Sequence, residues 1–297
     1  MSSTPKKYGK AFICGTARNC GKYVESVFSL AIRQIEPYFD QIHIIIAYDE
    51  STDNTLMELI KQKHHYKDRM DILMNNVENL GPIRTQNISN ARNSILERMR
   101  KYFAGSGLKI PYNIVEWSYF IMLDLDDVCS GAINKEVFER AMDANLKWDA
   151  ISFNRPRYYD IWAVSIPPYI YSCWGWANPY PVIDATRKYM VDKLSKLSPG
   201  ELLPVISAFN GFAIYKTDVF LRCRYDWRIP HKYMSFQELM DNGEAVHYQS
   251  TRSPINQQTN EPDCEHRHFH MEAIHSSGAR VMVSPEYLFE HDFESHR

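Results

Sequence analysis

The stretch "YFIMLDLDDVCSG", residues 119–131, places three carboxylates, Asp124, Asp126 and Asp127, directly behind an apolar run that reads as a buried strand. A carboxylate at the end of such a strand is costly to desolvate unless cations, hydrogen bonds or water meet it. Side chains at i and i+2 of a strand point to the same side, so Asp124 and Asp126 are expected to share one site. Hard oxygens suit Mg²⁺ or Mn²⁺, completed by water and by the phosphates of a nucleotide. On this stretch alone a solvated acidic turn that caps the next helix is an equal reading, with Asp127 bracing the loop or making the cap.

Working outward, "KAFICG" reads as a first strand, followed by Val24, Val27, Phe28, Ala31, Ile32 and Ile35 at helical spacing before Pro37. "QIHIIIAYD" is a near-continuous apolar strand, as expected where both sheet faces are covered, and "STDNTLMELIKQ" is a polar helix start and a second helix. "RMDILMN", "SNARNSILERMRKYF" and "WSYFIMLDLDD" continue the alternation as strand, helix and strand. Such alternation over residues 8–130 predicts an α/β fold with a mostly parallel central sheet flanked by helices. Ligands of open sheets bind outside the carboxyl ends of the strands, where "GTARN", "YDESTDNT" and "DLDD" all fall. Beyond residue 130, helices are expected at "NKEVFERAMD" and "ATRKYMVDKL" and strands at "WDAISF" and "VISAFNGFAIY", followed by "HRHFHMEAIHSSG" and "RVMVSPEYLF". No Gly/Ser linker or repeat divides the chain, so one domain over 1–297 is expected, with residues 131–297 continuing the half formed by 8–130.

The chain has 297 residues, 44% hydrophobic and 24% charged, enough to bury a large core. A formal net charge of −2 argues against the broad basic surface of a nucleic-acid binder. No run of about 18 apolar residues is present, so neither a spanning helix nor a secretion signal is expected, and a cytoplasmic location follows. The six cysteines, 14, 20, 129, 173, 223 and 264, are scattered without a CxxC, which points to reduced thiols.

An Asp-x-Asp after a hydrophobic strand, preceded by a strand that ends in "DESTDNT", resembles the nucleotide-sugar glycosyltransferases of the GT-A (Rossmann-like) fold. The resemblance implies a nucleotide-diphosphate sugar as donor, Asp49 and Glu50 facing base and ribose, and Asp124 and Asp126 holding Mn²⁺ or Mg²⁺ on the diphosphate. In the first strand-end cluster, Thr16 and Arg18 are candidates for nucleotide binding, and in "NARN" Arg92 is the arginine such enzymes place before the Asp-x-Asp strand. The order "FICGTARNCGKYV", "AYDESTDNT", "GPIRTQNISNARN", "WDAISFNRPRYYDIWAV", "AFNGFAIYKTDVF" and "CEHRHFH" is similar to the fungal capsule mannosyltransferase family and related bacterial and viral glycosyltransferases. Fungal members are usually membrane-anchored, and no anchor is visible here.

In the second half, the acceptor side, the glycine in "AFNGFAIY" resembles the one that lets backbone approach the donor sugar, which assigns Asn210 and Gly211 to donor binding. "RYYDIW" adds Tyr159, Asp160 and Trp162, a composition suited to saccharides, with Asp160 the preferred contact. "PDCEHRHFH" is the densest titratable cluster; an inverting transferase needs a base near the acceptor hydroxyl, and Glu265, backed by Asp263, is the candidate. His266 and His270 stand four apart, but without HExxH a zinc hydrolase is not indicated. His291 is a candidate third metal ligand by the same resemblance. Two other functions stay open at this point: a haloacid-dehalogenase-like phosphatase, for which "FIMLDLDDV" would supply the nucleophile, and a non-catalytic saccharide-binding relative of a transferase.

Overall fold

The structure is a computed structural model that describes residues 7–75, 81–104, 116–143, 145–170, 180–247 and 262–289. Strand β1 (Lys10–Ala17) leads into a helical stretch of α1 (Gly21–Ser26), a π-helical segment (Val27–Ile32) and α2 (Arg33–Ile35). Then follow β2 (Gln41–Tyr48), α3 (Thr55–Tyr66), β3 (Met70–Met74), α4 (Arg84–Ala104) and β4 (Tyr119–Asp124). The second half contributes α5 (Lys135–Ala141), β5 (Ala150–Asn154), α6 (Tyr180–Ser195), β6 (Leu203–Val205), β7 (Phe212–Lys216), α7 (Thr217–Phe220), α8 (Phe236–His247), α9 (Glu265–Ser277) and β8 (Val281–Tyr287).

The eight strands form one sheet in the order β3-β2-β1-β4-β7-β5-β8-β6. The pairings β1–β2, β1–β4, β2–β3 and β5–β8 are parallel, while β7 runs antiparallel to both β4 and β5, and β6 antiparallel to β8. Period-2 alternation divides each central strand between two cores. Phe12, Cys14, Phe120 and Met122 face the layer of α4, α6 and α9, through Ile95, Met190 and Phe269. Ala11, Ile13, Ile121 and Leu123 face the layer of α1, α3 and α5, through Val24, Leu59 and Phe138. Both faces are covered, which explains why "QIHIIIAY" carries almost no polar residue.

Two local expectations are corrected. "VISAFNGFAIY" is not one strand: β6 ends at Val205 and β7 begins at Phe212, because Asn210 and Gly211 take positive φ values of 58° and 86° that end an extended run. The helix expected from Ser89 starts earlier, at Arg84. Helix α8 has no counterpart in the sequence reading. Among the described residues no helix is long and apolar enough to cross a membrane.

Candidate active site

The carboxyl ends of β1, β2 and β4 open into a cleft of about 990 Å³, lined by Thr16, Arg18, Asp49, Arg92, Asp124, Asp126, Asp160, Asp263 and Glu265 among others. Nine residues singled out from sequence thus border one space. Two loops at its rim are stitched together by side chains rather than by strand pairing. Asn19 Oδ1 accepts from Thr52 N (2.8 Å), Ser51 Oγ accepts from Asn19 N (3.0 Å), and Asp53 Oδ2 accepts from Gly21 N (2.9 Å). Gly21 is required by closeness: a Cβ there would stand 2.8 Å from Thr55 N, where the starts of α1 and α3 meet. Asp49, 8% exposed, accepts from the Asn75 amide at 2.6 Å. Glu50 points to solvent and is not a lining residue.

The Asp-x-Asp does reach one side, but not by strand alternation. Strand β4 stops at Asp124, and Asp126 lies in the turn that follows, where its Oδ1 accepts from Val128 N at 3.1 Å and caps the 3₁₀ turn Asp127–Cys129. The cap expected of Asp127 is therefore made by Asp126. Asp124 is held from two directions: Arg92 Nη2 donates to Oδ1 (3.3 Å) and the Tyr159 hydroxyl to Oδ2 (3.2 Å). Burial raises its pKa, and Arg92 and Tyr159 oppose that rise.

Arg92 is the hub. Only 4% exposed, it also donates through Nη1 to Glu265 and to the His266 ring, and its guanidinium lies over Phe209 at 4.8 Å and Tyr225 at 5.7 Å. One cation on α4 thereby ties the end of β4 to the first turn of α9. Glu265 consequently has one carboxylate oxygen engaged by an arginine.

Asp263 has both oxygens committed. Oδ1 accepts from Cys264 N (2.7 Å), and Oδ2 pairs with the fully buried Arg267 (2.8 Å). Arg267 donates in turn to the carbonyls of Trp162 (2.7 Å), Val164 (2.7 Å) and Ile170 (3.0 Å), which fixes the segment carrying Tyr159, Asp160 and Trp162. Asp160 sits differently. Its Oδ2 accepts from Asn210 N (3.2 Å), no cation pairs with it among the described residues, and burial followed by the nearby Asp124 and Glu265 charges pushes its pKa up to about 7. A carboxyl that titrates near neutrality is suited to proton transfer.

Asn210 and Gly211 stand behind the wall rather than in it. Asn210, 1% exposed, donates to Phe153 O (2.9 Å), and the carbonyl of Gly211 accepts from Asp124 N (2.9 Å). A Cβ on Gly211 would stand 2.3 Å from Val128 Cγ1 and 2.9 Å from the Tyr159 hydroxyl, so protein packing, together with its positive φ, demands glycine there. His270 is a core residue, its ring held between Ser207 Oγ (2.9 Å) and the Tyr215 hydroxyl (3.0 Å). His291 lies outside the described residues.

Sequence reasoning passed over Arg267, whose i, i+4 spacing from Asp263 on a predicted helix was a usable signal. It gave Tyr159 no partner, and nothing local announces the contact with Asp124. As for a metal, no group of three or more His, Cys, Asp or Glu able to hold an ion occurs among the described residues. Asp124 and Asp126 nevertheless offer two hard-oxygen donors on one cleft, and Mg²⁺ and Mn²⁺ ordinarily take one or two carboxylates and complete their shells with phosphate and water. The donor set fits such an ion.

No family model and no curated protein matches the sequence. Solved structures similar to it include S. aureus TarS 1-349 in complex with UDP-GlcNAc, at 14% identity and a TM-score of 0.41, covering 94% of this chain and 57% of that one. The mannosyltransferase PcManGT from Pyrobaculum calidifontis, in complex with GDP-Man and Mn²⁺, is similar at 10% identity and a TM-score of 0.39, over 95% of this chain and 59% of that one. M. tuberculosis glucosyl-3-phosphoglycerate synthase with Mn²⁺, UDP-Glc and phosphoglyceric acid gives 10% identity and 0.37, over 71% and 58%. The chain spans less than two thirds of each of these structures.

Proposed function

We propose that the protein is a GT-A-type glycosyltransferase that moves a sugar from a nucleotide-diphosphate sugar to a saccharide acceptor with the help of Mn²⁺ or Mg²⁺. The observation that carries this reading is the charge arrangement of the cleft: Asp49, Asp124 and Asp126 at strand ends, interleaved with Arg18, Arg84 and Arg92. Guanidinium groups suit the diphosphate, and a carboxylate at the end of β2 suits sugar or base hydrogen-bond donors. Asp124 and Asp126 would hold the metal, which when bound neutralises charge on the diphosphate leaving group.

Within this reading the acceptor hydroxyl is deprotonated by Asp160 rather than by Glu265. Asp160 borders the cleft without a cation partner among the described residues, whereas Glu265 is paired with Arg92. Trp162 borders the same end of the cleft and offers an apolar face to a sugar. A phosphatase is disfavoured, because in such enzymes the aspartate motif opens the domain, whereas here it follows the fourth strand, β4. The test is a thermal-shift screen of UDP, GDP, CDP and dTDP sugars with and without Mn²⁺. Stabilisation by one nucleotide only in the presence of metal is expected, and no response to any of them would count against the assignment.

A further inference from the structure

His266 is a member of the cleft wall to which the reaction above gives no task. Its ring is fixed by packing: it stacks on Phe209 with centroids 3.9 Å apart and planes at 21°, and meets Tyr225 edge-on at 5.4 Å. Nε2 lies in hydrogen-bonding contact with Arg92 Nη1. A guanidinium can only donate, so Nε2 must present its lone pair. Burial, and then the Arg92 charge, hold the ring pKa well below the usual histidine value, which keeps the ring neutral. A neutral imidazole whose Nε2 accepts carries its proton on Nδ1. That Nδ1 is buried and has no hydrogen-bond partner, on a residue only 1% exposed. A buried N–H left without an acceptor is destabilising, a penalty that an oxygen brought within its reach would remove.

We propose that His266 is a substrate-binding residue: Arg92 locks it as the Nδ1–H tautomer, and that proton is donated to an oxygen of the ligand bound in the cleft. The oxygen is a phosphate oxygen of the nucleotide or a hydroxyl of its sugar, both of which accept from a neutral N–H. The assignment rests on the nucleotide-sugar reading for the identity of the ligand, but not for the tautomer. Arg92 thus has a second effect besides its charge: it aims the proton of a neighbouring ring.

The experiment has two parts. Nitrogen-15 NMR of the ring in the ligand-free protein is expected to show Nδ1 protonated and Nε2 bare at pH 7; a protonated Nε2 overturns the proposal at once. Calorimetric titration with UDP-glucose and GDP-mannose, and with UDP and GDP, each with Mn²⁺, then compares wild type with His266→Gln and His266→Asn. Asparagine keeps an amide donor near the Nδ1 position, whereas glutamine places its amide near Nε2. Binding should weaken roughly ten-fold in His266→Gln, as for one lost hydrogen bond, and should recover in His266→Asn. A loss seen with the bare diphosphates assigns the oxygen to phosphate, and one confined to the nucleotide sugars assigns it to the sugar. Equal binding by wild type and His266→Gln overturns the ligand role. If wild type binds none of the probes, the nucleotide-sugar reading fails and takes the ligand role with it, while the tautomer measurement stands by itself.

Discussion

Replacing Arg92 by methionine, which keeps much of the volume and removes the charge, tests the hub of the site. Arg92 is 4% exposed, bonds Asp124 at 3.3 Å, pairs with Glu265 and covers the ring of Phe209 at 4.8 Å. The variant leaves two carboxylates near one another without their shared cation. Removing one partner of a buried pair costs roughly 3–5 kcal/mol, a large part of the 5–15 kcal/mol by which a protein of ordinary stability is folded. At about 2–4 °C per kcal/mol for a chain somewhat shorter than this one, the melting temperature should fall by roughly 6–20 °C. Urea unfolding of wild type, Arg92→Met, Glu265→Gln and the double variant gives the coupling directly. Neutralising Glu265 in the Arg92→Met background should recover part of the loss, since the uncompensated charge is then gone. An Arg92→Met protein within about 1 kcal/mol of wild type would refute the claim that this arginine joins α4, β4 and α9.

The other expectations concern proton transfer, backbone packing and acid stability. Asp160→Asn should reduce transfer by roughly 10²–10⁴-fold and remove the acidic limb of the pH–rate profile, whereas Glu265→Gln should keep that limb; the opposite pattern returns the base to Glu265. Gly211→Ala should destabilise by about 2–4 kcal/mol in urea, from overpacking and from its φ of 86°, and should weaken nucleotide binding because Gly211 O holds Asp124 N; an unchanged midpoint would contradict the packing argument. His270 has its pKa depressed by burial, and then by Arg92 and Arg267, from 6.5 to about 3 in the folded protein. The unfolded chain therefore takes up this proton first as the medium is acidified. Its contribution is complete above pH 6.5 and is lost as pH falls towards 3, with about 2 kcal/mol gone at pH 5 by linkage. Urea midpoints at pH 7, 6 and 5 should fall accordingly in wild type and less in His270→Gln compared with its own pH 7 value.

Much of the sheet was legible because its signals are local. Buried strands such as Gln41–Tyr48 announce themselves by an unbroken apolar run, and Asp49, Asp124 and Asp126 follow strand ends where such folds collect ligands. Errors arose where backbone geometry intervened. The φ of 58° at Asn210 breaks an apolar run that reads as one strand, and the early end of β4 at Asp124 moves Asp126 into a turn, where it takes the cap expected of Asp127. The partnerships were illegible for another reason. Arg92 and Glu265 are 173 residues apart, and Tyr159 and Asp124 are 35 apart, so neither pair leaves a spacing to detect. Without those partners Glu265 reads as a free base and Gly211 as a ligand contact, although one carries an arginine and the other packs on Val128.

The central claim is that Asp124 and Asp126 hold a divalent ion against the diphosphate of a nucleotide sugar. Calorimetric titration of the preferred nucleotide sugar into wild type and Asp126→Asn, each with Mn²⁺ and with EDTA, tests it most directly, because Asp126 is partly exposed and its replacement leaves the Arg92 pairs intact. The account predicts tight binding by wild type with Mn²⁺ and weak binding with EDTA, together with Asp126→Asn binding equally weakly under both conditions. Binding that is indifferent to metal in wild type, or unaltered in Asp126→Asn, would contradict it.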